Sequence, residues 1–250
     1  MSRASQPTPS VAEMRRTLRS AALLTSGAGI GFGILTVAAW WLLGAERAAL
    51  LEDEDPFALY QTEGNTGSTI AGLYLLPIAS ILFLWFNVAL RGWIRGTQHR
   101  RNMLISDLQL VAGITFTAVY LVAAGATATS VIVSGSGTDA IGFDSLLAMS
   151  AFGNTLMVVM GIRMAAIFVI ATASLGMTTG VLPRWFNLLS YGFGGLLILT
   201  PIVEAALTVA FPIWVIALSI LLLYHVARLA DDELPGFAAR YIDSSITAER

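Results

Sequence analysis

The sequence predicts an all-α fold, a polytopic membrane helix bundle with six transmembrane helices and both N and C termini cytoplasmic. Three observations lead there. The 250 residues are 56% hydrophobic and only 12% charged, with mean hydropathy +0.75, against about 25% charged residues in an ordinary soluble domain. The apolar residues gather in six runs, at about 21–43, 70–90, 105–131, 146–176, 186–202 and 211–227, and about 20 apolar residues suffice to cross a bilayer core of about 30 Å. Arginine is also unevenly shared between the connecting segments. Threading the six runs in order puts Arg3, Arg15, Arg16, Arg19, Arg91, Arg95, Arg100, Arg101, Arg184, Arg228, Arg240 and Arg250 on one side and Arg47 alone on the other, so the positive-inside rule makes the first side cytoplasmic.

Residues 1–9 carry Ser, Gln, Thr and two Pro and read as a disordered cytoplasmic tail. The transmembrane domain occupies 10–228, and a second cytoplasmic tail 229–250. Ser10-Val-Ala-Glu13 has the spacing of a capping box, in which hydroxyl and carboxylate each satisfy a backbone donor at a helix start. A signal peptide would share the arginine flank that follows. The first run is too long for one, however, and has no clear small-x-small cleavage site, so it reads as a retained helix. Within it, Gly27, Gly29, Gly31 and Gly33 form two interleaved small-xxx-small pairs, 27/31 and 29/33, that admit a neighbouring helix at close range. A nucleotide-binding glycine loop would need a preceding strand and a soluble setting.

Gly44 to Thr69 reads as a polar loop, with Glu46, Glu52, Asp53, Glu54, Asp55 and Glu63 against Arg47. The cluster from Glu52 to Asp55 lacks EF-hand spacing and reads as a solvated acidic face. Pro77 interrupts the second helix, which carries Asn87; Arg91, Arg95, His99, Arg100 and Arg101 follow it as the most basic loop. The third helix has Asp107 just inside its start, with Ala112, Gly113, Ala123, Ala124, Gly125 and Ala126 suited to close packing. Ser134-Gly-Ser-Gly137, Asp139 and Asp144 form the next turn. Gly180 and Pro183 close the fourth helix. The fifth ends near Pro201 and Glu204, and the sixth starts at Phe211-Pro212, with proline in its first turn. Trp40, Trp41, Trp93, Trp185 and Trp214 fall near the expected interfaces, where amphipathic rings anchor.

The absence of Cys rules out disulfides, thiolate metal sites, iron–sulfur clusters and a cysteine nucleophile. Two His, His99 and His225, leave little for a metal or haem, and no metal site, cofactor or catalytic set is expected. An intramembrane serine protease needs its Ser within reach of a His. Ser136 falls in an outer turn and His225 near the opposite face. A transporter built from inverted repeats would place broken helices in opposite halves, whereas Pro77 and Pro201 both fall toward the outer end.

From Leu146 to Leu182 the only charge is Arg163, near the middle of the fourth run, where a charged side chain needs a partner, water or the interface. Asn87, Asp107 and His225 fall roughly 9 to 15 Å inward of the midplane at 1.5 Å per residue. An arginine able to snorkel would gather these four into one candidate polar cluster. Three readings stand side by side. Arg163 is neutralised by Asp107 and carbonyls and fixes packing; or the cluster binds an anion or gates a proton path; or Arg163 snorkels at the lipid face.

Arg163-Met-Ala-Ala-Ile-Phe168, Ser174, Val181-Leu-Pro-Arg-Trp185, Tyr191-Gly192 and Phe211-Pro-Ile-Trp-Val215 resemble a group of uncharacterised bacterial six-helix integral membrane proteins. The resemblance is limited to about residues 163–230. It implies membrane topology and no activity. The resulting expectation is a multi-pass protein of the bacterial cytoplasmic (inner) membrane, non-enzymatic, serving as an accessory or assembly subunit. Its partners would be the lipid bilayer and other membrane proteins, not nucleic acid. The alternative is a small transporter or a lipid- or anion-binding protein using the cluster around Arg163.

Overall fold

Apolar stretches that lack water to bond their backbone close their hydrogen bonds internally, as helices. The computed structural model describes residues 11–52, 71–95, 103–135, 143–180, 182–199 and 205–228, and these form six helices. They are α1 (Val11–Glu52), α2 (Leu76–Arg95, entered through a π-helical turn Ala71–Leu75), α3 (Met103–Gly135), α4, α5 (Arg184–Leu199) and α6 (Ala205–Arg228). α4 runs through Phe143–Thr155, a π-helical segment Leu156–Gly161 and Ile162–Thr179. Three spans, Ala22–Leu42, Met103–Ala126 and Ala151–Thr179, are long and apolar enough to cross a membrane, and Leu76–Gly92 and Val209–His225 are shorter apolar stretches.

Several boundaries differ from the sequence expectation. Helix α1 carries on through Glu52, so the first part of the expected polar loop is helical. Arg91 and Arg95 lie on α2 rather than after it, and Ser134 and Gly135 still belong to α3. The largest difference is in α6, which begins at Ala205 and holds Pro212 inside the helix instead of in its first turn. The sequence pattern misplaced that start because proline is ordinarily a first-turn residue, whereas the helix here runs on through it. The disordered tail at 1–9, Ser10 of the capping box, the acids Asp53 to Glu63, the arginines 100 and 101, the turn at Ser136, Pro201 with Glu204, and the tail 229–250 lie outside the described residues.

Two irregular turns have identifiable causes. Proline's ring clashes with the carbonyl four residues earlier and offers no N–H; the π turn Ala71–Leu75 widens the helix where Pro77 would cause that clash. At the other end of α4, Gly180 takes φ +70 and its N–H bonds the Gly176 carbonyl at 3.0 Å. A glycine tolerates this left-handed cap without a Cβ penalty. The Pro183 carbonyl then accepts the N–H groups of Phe186 and Asn187, which starts α5 and sends it back along α4.

Packing follows the order α6, α1, α2, α3, α4, α5, with α4 also touching α6. The interior is filled by rings from every helix. Phe83 of α2 meets Phe32 of α1 at 4.8 Å, Phe116 of α3 at 4.9 Å and Phe168 of α4 at 5.3 Å between centroids. Phe211 of α6 meets Phe116 at 4.9 Å, while Trp214 lies between Phe168 and Phe186 of α5. Tilted, edge-on and stacked pairs of this kind contribute about 0.5–1.5 kcal/mol each beyond area burial. The outer face is also apolar, with Leu24, Ile81, Trp85, Leu104, Val111, Leu189 and Leu199 exposed, a surface suited to lipid rather than water.

This layer corrects one tryptophan. Trp41 and Trp185 are exposed, as interfacial anchors should be, but Trp214 is buried and its Nε1–H donates to Ser190 Oγ at 2.9 Å. It is a core ring. With α6 starting at Ala205, Trp214 comes more than two turns into the helix.

Candidate functional site

The polar residues singled out by sequence separate into distinct places. On α2, Asn87 and Arg91 are four residues apart and share a face. α3 runs antiparallel and presents Gln109 and Asp107 to them. Gln109 Nε2 donates to Asn87 Oδ1 at 2.8 Å, and Asn87 Nδ2 donates to the Leu110 carbonyl at 3.2 Å. A Cβ at Gly113 would fall on the Asn87 amide, so that glycine makes the room. Arg91 forms an ion pair with Asp107, with side chains 17% and 55% exposed respectively, so the pair sits at the rim with the carboxylate outward.

Asn87 and Gln109 are fully buried. Gln109 Oε1, Arg91 Nε and the Ser106 hydroxyl are buried without a hydrogen-bond partner, as is Ser26 Oγ, three residues before Gly29 on α1. Buried polar groups are ordinarily satisfied, so this level, between the aromatic layer and the ends at Arg95 and Met103, has unused bonding capacity. It can lock α2 against α3, and it can hold a polar group.

Arg163 does not join this level, which corrects the expected cluster. Gly161 faces Val119 across the α3–α4 contact, so in antiparallel register Arg163 lies level with about Thr117. Asp107 is ten residues away along α3, about 15 Å at 1.5 Å per residue. The guanidinium leans the other way, toward its own N-terminus, and Arg163 Nη1 donates to the Val159 carbonyl at 2.6 Å. Val159 belongs to the π-helical segment Leu156–Gly161, which immediately precedes Arg163. The arginine therefore serves a carbonyl of its own widened turn, and Asp107 is paired by Arg91. His225 lies half-buried near the end of α6, six residues beyond Ser219, which faces Gly29.

The four glycines of α1 divide as well. A Cβ at Gly29 would strike Ser219 Oγ of α6 and the Phe86 ring, and one at Gly33 would strike Ile216 and come within 3.0 Å of the Pro212 carbonyl. Gly31 faces a single atom of Leu82 at 3.0 Å, and Gly27 has nothing within 4 Å. Only the 29/33 pair forms a helix seam. The 27/31 pair fails because Gly27, two residues off, points outward.

Sequence reasoning missed Gln109, although a glutamine two residues from Asp107 in an apolar helix was a signal. It also missed that Arg91, one turn from Asn87, would be helical and so aimed at Asp107. Ser174 and Tyr191 share a hydrogen bond of 2.7 Å between α4 and α5, which sequence separation concealed. No family model matches the chain, and no curated protein or solved structure matches it.

Proposed function

We propose that the chain spans the bacterial inner membrane six times with both termini in the cytoplasm, and that it works without catalysing a reaction, as an accessory or assembly subunit of a larger membrane complex. The observation that carries this reading is the aromatic layer. Rings from all six helices meet where a permeation path or substrate cavity would run, and the cavity beside them has a volume of about 10 Å³, room for about one water. A bundle packed this way offers its outer faces, not its interior, to partners.

The test is purification from native membranes in mild detergent with identification of co-purifying proteins. A stoichiometric membrane partner is the expected result. A monodisperse lone chain that moves solute across reconstituted vesicles would overturn the reading. Orientation is tested by cysteine labelling, since the chain has no native Cys. An impermeant thiol reagent in intact cells is expected to label Asn65→Cys and to spare Thr97→Cys; the reverse pattern would invert the topology.

One observation favours a second reading, a small transporter or lipid- or anion-binding protein. The buried Asn87–Gln109 pair lies beside partnerless polar atoms and the Arg91–Asp107 rim pair. Its centre is this level rather than Arg163. Water-accessible labelling of Gln109→Cys would favour it over the first reading.

A further inference from the structure

The short α5 leaves part of α4 uncovered. Leu197 of α5 packs with Ile162 and Ala166 of α4, which bracket Arg163, and α5 ends two residues later at Leu199. Beyond that level the N-terminal part of α4, Phe143–Gly161, packs among the described residues chiefly against α3. Met149, Phe152 and Met160 are exposed there, and Met160, three residues before Arg163, shares its face. The result is a notch with an apolar wall and one charge at its foot. That charge is not neutralised within the described chain. Arg163 is half-buried, and its one hydrogen bond there runs from Nη1 to the Val159 carbonyl. A guanidinium carries five N–H donors; the others meet no acceptor among the described residues and are not enclosed by protein.

Arg163 stands well inside its span, twelve residues from Ala151 and sixteen from Thr179, about 18 and 24 Å from the two ends. A charged side chain at such depth pairs with another group or lines water. The described apolar spans hold a single carboxylate, Asp107, which Arg91 pairs about 15 Å away along the bundle. A second copy of the chain would bring the same Asp107 at the same unsuitable depth. We infer that the notch receives a transmembrane helix of a different protein, and that an Asp or Glu near the middle of that helix pairs with Arg163. The inference rests on the accessory-subunit reading and gives the partner its chemistry. Arginine's planar fork matches a carboxylate with two parallel bonds, and the partner's apolar residues would cover Met149, Phe152 and Met160. A lipid phosphate suits the site less, because headgroups lie at the ends of the span and not beside its middle.

Photo-crosslinking of the full chain in its native membrane tests this, with a photoreactive amino acid in place of Met160. The expected product is an adduct whose crosslinked peptide comes from an apolar span containing Asp or Glu. Removing one member of a buried pair leaves the other charge uncompensated, so Arg163→Gln is expected to cut the adduct at least about tenfold, while Arg163→Lys keeps most of it. Should Arg163→Gln fail to accumulate, charge reversal gives the second measurement. Arg163→Asp alone is expected to abolish the adduct, and replacing the partner's acid with Arg to restore it. Lipid adducts alone, a peptide from a span without an acid, an adduct indifferent to Arg163→Gln, or a reversal that restores nothing would overturn the inference. Loss of the adduct on Glu204→Gln to the same extent would also overturn it, by making the carboxylate internal. If a stoichiometric partner co-purifies but is not reached from Met160, the inference fails and the accessory-subunit reading stands. If no protein co-purifies, that reading fails and takes the inference with it.

Discussion

Replacing Gly29 or Gly27 with alanine should move stability in opposite directions, though the two lie half a turn apart on one helix. At Gly29 the new methyl would come 2.8 Å from Phe86 Cδ2 and nearer still to Ser219 Oγ. Neither neighbour yields easily. Both are fully buried, and the Ser219 hydroxyl is held by the Val215 carbonyl at 2.8 Å. Overpacking costs about 1–3 kcal/mol, and two confined neighbours put Gly29 near the upper end. Helix propensity returns about 1 kcal/mol, for a net loss of about 2 kcal/mol. At Gly27 nothing lies within 4 Å, so only the propensity gain of about 1 kcal/mol remains. The variants should differ by about 3 kcal/mol, roughly 6–12 °C in melting temperature for a chain of this size. Thermal aggregation in detergent, followed by size-exclusion chromatography, measures it. If the two variants melt together, or Gly27→Ala is the worse, the assignment of the α1–α6 seam is wrong.

Two other perturbations test the rest of the bundle by melting temperature. Arg91→Gln and Asp107→Asn should show a coupling of about 1 kcal/mol in a double-mutant cycle, whereas Arg163→Gln with Asp107→Asn should be additive; coupling in the second cycle alone would restore the cluster around Arg163. Phe83→Ala, which removes the ring shared by α1, α3 and α4, should cost about 3–5 kcal/mol, and a loss no larger than that of the exposed Trp85→Ala would deny the aromatic layer its central role.

What the sequence made legible was whatever depends on runs and caps. The helical fold follows from apolar periods, and the end of α4 from Gly180 and Pro183, because those signals are local. What it hid depended on azimuth and register. Gly27 and Gly29 are alike in sequence, and only the rotation of α1 about its axis separates a lipid-suited face from a seam. Arg163 and Asp107 read as partners because depth estimates ignore which way a side chain leans; a helical side chain points toward its N-terminus, and in α4 that direction leads away from Asp107. The π segment that contains Val159, whose carbonyl Arg163 bonds, leaves no mark in Leu156-Met-Val-Val-Met-Gly161 that distinguishes it from ordinary helix.

The pairing of the first helix with the last also bears on how the chain is made. Gly29 and Gly33 are complete early, but Pro212, Ile216 and Ser219, which close on them, emerge roughly 180 residues later, on the order of 10–40 s at cellular synthesis rates. For that interval the groove on α1 is open to any other helix nearby. A chain stalled or cut before Ala205 would keep it open indefinitely, ready to capture α6 of another copy or an unrelated helix, and the cell would have reason to remove such fragments quickly.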